Sequence, residues 1–167
     1  IFVEVALTGD IPRSIGEVLE PERTILPAQA ATTAVFYSIS NCQEGLRGIS
    51  FGNFLIKQVA EDLKRELPGL DTFVTLSPVP GFARWLAGIA DEPGDLVLTN
   101  EERSELARPA GETISLDDAT RARRDKLLGQ MMAQYMLRAR TASGRVIDPV
   151  ARFHLGNGAR LERINVG

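Results

Sequence analysis

Hydrophobic and polar positions alternate from Ile1 to Leu7, a period-two pattern that predicts a strand closed by Thr8-Gly9-Asp10. Ile1 already lies within that strand, so the chain is expected to begin inside a larger unit. Three prolines mark residues 11–31 as a connection, with a short helical piece around Ile15 to Leu19. Thr32 to Ser40 is rich in β-branched and aromatic residues and nearly continuously apolar at its centre, which predicts a central strand covered on both faces. Gln43 to Gly52 then holds Gly45, Gly48, Gly52 and the cation Arg47. From Phe51 the apolar positions Phe51, Leu55, Val59, Leu63 and Leu67 recur at helical spacing, with Lys57/Glu61 and Glu61/Arg65 as i,i+4 pairs on the wet side. Pro68-Gly69 stops that helix, and Asp71 to Leu76 predicts a strand parallel to the central one. It delivers Ser77 into Pro78-Val79-Pro80-Gly81.

The second half reads as helices. Phe82, Trp85, Leu86 and Ile89 share one face, and residues 91–95 predict a turn. Thr99 with Glu102 has the pattern of a capping box for a helix reaching Ala107, broken at Pro109-Ala110-Gly111. Ser115 with Asp118 is the expected cap of the next helix, whose stripe of Leu127, Leu128, Met131, Met132, Tyr135 and Met136 reads as core rather than cofactor contact. Ala142-Ser143-Gly144 ends it. The last element is expected to be a β-hairpin, with Val150 to Gly156 and Ala159 to Asn165 flanking the turn signal Asn157-Gly158. Counting outward pairs His154 with Leu161 and Arg152 with Arg163, so that His154 shares a face with both arginines.

Composition narrows the function classes. The 167 residues are of single-domain size, and 44% hydrophobic content suffices for a core. A net charge of -3 argues against a nucleic-acid partner, and no apolar run reaches membrane-spanning length. One cysteine, Cys42, cannot form an internal disulfide and fits a reducing compartment. With one cysteine and one histidine, a transition-metal site has few ligands to draw on, so the expected chemistry uses no metal.

Three features carry candidate chemistry. A glycine-bearing loop between strand and helix can turn backbone N–H groups and the helix dipole toward a phosphate, and the missing Cβ atoms let the ligand approach. Ser77 stands at the carboxyl end of its strand, the usual ligand edge of a parallel pair, and Pro78 biases it to an extended backbone. His154 is the side chain best matched to proton transfer near neutral pH.

Arg47-Gly48-Ile49-Ser50-Phe51-Gly52 resembles the loop of the GNAT acetyltransferase superfold, with Ser50 where a second glycine is usual. More specifically, the runs from Val5 to Ile11, Phe36 to Ser40, Gln43 to Gly48, Phe54 to Lys57, Leu76 to Phe82 and Asp148 to Ala159 resemble the malonyl-CoA decarboxylase family, in the same order over residues 1–90 and 127–165. Some members of that family carry an acidic residue where Ser50 stands.

The resemblance implies an α+β fold with a GNAT-like mixed sheet, a β-α-β unit that binds coenzyme A and the C-terminal hairpin, but without part of the usual N-terminal sheet. Residues 1–167 would form one, incomplete catalytic domain, with 91–140 a helical insertion and the family's helical N-terminal domain absent. It implies loss of CO2 from malonyl-CoA to give acetyl-CoA, with Ser77 and His154 catalytic and the CoA portion held along Arg47, Gly48, Ile49, Ser50, Phe51, Gly52 and Asn53. No cofactor is implied, CoA being part of the substrate. Expected partners are malonyl-CoA and further copies of the chain through the N-terminal domain, with no nucleic acid and no membrane, in the cytoplasm. Two other readings stay open: an acyl-CoA-dependent N-acetyltransferase and a CoA-binding module without catalysis.

Overall fold

The computed structural model describes residues 2–40, 52–91, 98–107 and 117–166. They build two compact units, residues 1–77 and 78–167.

In the first unit, strand β1 (Phe2–Thr8), helix α1 (Ile15–Leu19), strand β2 (Thr33–Ser40), helix α2 (Gly52–Glu66) and strand β3 (Thr72–Thr75) follow in order. The sheet runs β1-β2-β3 and is mixed: β2 is antiparallel to β1, from Phe2 opposite Ser40 to Thr8 opposite Thr33, and parallel to β3, from Thr33 beside Thr72 to Phe36 beside Thr75. A register shift between Glu4 and Val5 marks a bulge.

Alternation along the strands sorts side chains to two faces, and both are covered as the pattern of β2 demands. On one face Ala6, Val35 and Val18 of α1 form a buried cluster, joined by Tyr37, Val74 and Leu76. On the other, Ala31, Ala34 and Leu70 meet Val5, Leu7, Phe73, Leu63 of α2 and Leu67 just beyond its end. The wet face of α2 pairs differently from expectation. Arg65 reaches Asp62, three residues back, at 2.9 Å, and Gln58 donates to Asp62 at 3.2 Å.

The second unit is helical: α3 (Phe82–Asp91), α4 (Asn100–Leu106), α5 (Asp118–Arg138) and α6 (Pro149–Gly156). The capping box is present on α4, with Glu102 N–H donating to the Thr99 hydroxyl at 3.2 Å and Thr99 N–H to the Glu102 carboxylate at 2.8 Å. The cap of α5 is Asp117, whose side chain accepts from Thr120 N–H at 2.9 Å; Ser115 lies outside the described residues. The core gathers Leu106, Leu127 and Met131 with Phe82, Trp85, Leu86, Leu98 and Leu128, so the methionine-bearing stripe of α5 is packing surface. Arg124 of α5, 5% exposed, lies 3.6 Å from the Glu105 carboxylate.

The C-terminal hairpin does not form. Residues 149–156 are helix and residues 159–166 carry no regular structure. Asp148 caps the helix by accepting from the N–H groups of Val150 and Ala151, both at 3.0 Å, and Pro149 occupies the first turn, where its missing N–H costs nothing. Asn157-Gly158, read as a hairpin turn, is instead the helix stop. Gly158 takes φ 89°, its N–H donates to the Leu155 carbonyl at 3.1 Å, and Ala159 N–H donates to the His154 carbonyl at 3.1 Å. That is the Schellman arrangement, which uses a left-handed glycine just as a hairpin turn does. Among the described residues no helix is long and apolar enough to cross a membrane.

Candidate functional site

Ser77 is placed by the sheet. Leu76 N–H still donates to the Phe36 carbonyl at 3.0 Å beyond the last residue of β3, so the parallel ladder holds the backbone up to the serine. Ser77 is half-buried and is followed by Pro78, whose ring restricts its backbone. It closes the first unit.

Among the expected CoA contacts, Gly52 and Asn53 open α2, a helix long enough to present its positive end to an anion. Arg47, Gly48, Ile49, Ser50 and Phe51, together with Cys42, lie outside the described residues. A shallow groove of about 510 Å³ on the same unit is lined by Ala60, Glu61, Lys64, Arg65 and Phe73. Its cations are engaged, Lys64 with the carbonyls of Pro68 and Leu70 and with Asp71, Arg65 with Asp62.

His154 belongs to the second unit, in the last turn of α6 rather than on a strand. The change reassigns its neighbours. Two residues apart on a helix do not face each other, so Arg152 and His154 leave the common face expected of them. Arg152 donates to the Val146 carbonyl at 3.0 Å, and Arg163 to the Asn165 side chain at 2.8 Å. The imidazole is half-buried, and the Phe153 ring stands edge-on to it with centroids 5.1 Å apart. Burial holds its pKa below the ordinary 6.5, because the charged form loses hydration.

Sequence reasoning missed the polar cluster behind α6. Asp148 is fully buried, with four donors on its two oxygens. Oδ1 takes the Val150 and Ala151 N–H groups; Oδ2 takes the Tyr135 hydroxyl at 3.2 Å and the Gly81 N–H at 3.3 Å. Tyr135, 2% exposed, packs against Trp85 and Phe82, with centroids 5.1 and 5.8 Å away. Burial first, then the charge of Asp148, pushes the phenol's pKa up, so it stays a donor at neutral pH. A Cβ on Gly81 would overlap the Tyr135 hydroxyl, which accounts for the glycine closing the Pro78–Gly81 turn. The available signal was Asp148-Pro149, a helix-start pair.

Comparison with known proteins decides the family. The model described as malonyl-CoA decarboxylase C-terminal domain matches residues 1–167. The chain belongs to the malonyl-CoA decarboxylase family. It is 36% identical to the mitochondrial malonyl-CoA decarboxylase of Anser anser anser and 35% to that of Rattus norvegicus, in each case over 99% of this chain. It spans 36% and 37% of those proteins' lengths. Crystal structures of malonyl-CoA decarboxylase from Agrobacterium vitis (57% identity, TM-score 0.88) and Rhodopseudomonas palustris (55%, 0.83) each match over 98% of this chain and over 40% and 37% of their own.

Proposed function

We propose that the protein containing this chain decarboxylates malonyl-CoA to acetyl-CoA and CO2. The observation that carries the reading is the family match over the whole chain, with both the Ser77-Pro-Val-Pro-Gly turn and the Asp148 to Ala159 block inside it. The mixed sheet with its β2-α2-β3 unit supports a GNAT-like arrangement, in which residues 47–53 hold the phosphates of CoA and Gly52 and Asn53 contribute the N-terminus of α2.

The reaction breaks the bond between the malonyl carbon and its carboxylate. The electron pair moves toward the thioester carbonyl, CO2 departs, and the enolate carbon then takes a proton. Donors preorganised at the enolate oxygen lower the barrier, and losing one costs about 3 to 4 kcal/mol. Ser77, its backbone held by the β3 ladder and Pro78, orients the departing carboxylate or its hydrogen-bond network. His154 delivers the proton. The thioester is the electron sink, so the scheme assigns no step to a cofactor or metal. Self-association through a separate helical domain and a cytoplasmic setting belong to the same proposal, although the relatives from Anser and Rattus are named mitochondrial.

The test uses the full-length protein with malonyl-CoA, following acetyl-CoA and free CoA separately. Stoichiometric acetyl-CoA is expected, with H154N losing turnover while CoA binding stays near normal. Acetyl transfer to an amine without malonyl-CoA consumption would mark an N-acetyltransferase, and CoA binding without CO2 release a binding module.

A further inference from the structure

Helix α6 has only eight residues and no fully buried side chain, so neither its length nor an apolar face fixes its direction. What is buried is the residue at its head. Asp148 is fully excluded from solvent, and its four donors come from three places: the first turn of α6, the last turn of α5 and the backbone of Gly81. A buried carboxyl group is costly unless its hydrogen bonds are satisfied, and an apolar contact of the same volume is often the more stable solution. The polar cluster does what an apolar contact cannot: it fixes orientation.

We propose that Asp148, held by Tyr135 and Gly81, is a positioning residue that aims His154 at the reacting carbon. The inference rests on the reading of His154 as proton donor. His154 lies six residues from the cap, about 9 Å along the helix axis, so a small tilt at Asp148 becomes a large displacement of the imidazole. Tyr135 is suited to hold the cap because its buried ring packs against both Trp85 and Phe82 while its hydroxyl reaches Asp148. Gly81 completes the fit, since any side chain there would push that hydroxyl away.

Tyr135→Phe in the full-length protein tests this directly, because it keeps the ring packing and the α6 cap and removes one hydrogen bond. A misplacement near 1 Å costs about a hundredfold in rate, so a fall in kcat of about tenfold or more is expected, with KM for malonyl-CoA within about threefold. The same substitution is then made in H154N and read by single turnover at enzyme excess. If the tyrosine acts through the imidazole, Y135F has no further effect there. A Y135F enzyme with undiminished kcat, a rise in KM matching the loss, or an equal loss in the H154N background would overturn the proposal. Turnover by H154N alone at the rate of the parent would instead remove the proton-donor reading, and with it this inference. Asp148→Asn, which keeps a capping oxygen but turns an amide N–H₂ toward two donors, is expected to repeat the Y135F result more strongly; if it fails to fold, Y135F decides.

Discussion

His154 carries two consequences of its half-burial. A proton donor must first be protonated, and an imidazole whose pKa sits below 6.5 is mostly neutral at pH 7. The small charged fraction is correspondingly a stronger acid. Under the proposed scheme, decarboxylation by the full-length protein should therefore slow about tenfold per pH unit on the alkaline side of that pKa. A kcat that is flat or rising between pH 7 and 8.5 would exclude the donor role. The stability consequence has the opposite sense. The unfolded chain binds this proton more readily than the folded one, so the contribution is fully present above pH 6.5 and is lost as pH falls through the lowered value. Denaturant midpoints of the parent and H154Q, compared between pH 7.5 and 5, should show the parent falling more.

At the scale of elements, the two ends of α6 explain why the C-terminal segment misleads. Val150-Ala151-Arg152-Phe153-His154-Leu155 suits strand or helix, and Asn-Gly serves equally as a hairpin turn or as a left-handed helix stop. The deciding information sat upstream, in Asp148-Pro149, and in a buried tyrosine on the preceding helix, thirteen residues before the cap. By contrast β1, β2, α2 and β3 were legible, because a near-continuous apolar strand and a 3.6-residue stripe each admit one reading. The candidate site divides the same way: Ser77 follows from strand parity and Pro78, whereas the surroundings of His154 depend on contacts no local pattern encodes. Gly158→Ala tests the stop. Its φ of 89° is a conformation that a Cβ disfavours by about 1 to 2 kcal/mol, and a urea titration should show a loss of that order.

Over the whole molecule, stability is divided between a sheet covered on both sides and a helical core. Met131 is 6% exposed and clusters with Leu106 and Leu127, with Trp85 and Phe82 packed against the cluster. Met131→Ala should cost about 2 to 5 kcal/mol, visible in a thermal melt, with the spread set by how far the neighbours collapse. The sheet has a further consequence, in time. β1 leaves the ribosome before its partner β2, which follows only after the connection from Gly9 to Thr32, and the parallel neighbour β3 only after α2. At synthesis rates of about 5 to 20 residues per second, the edge of nascent β1 that pairs with β2 waits seconds for that partner. That interval is when a chaperone, or another nascent chain, has its opportunity.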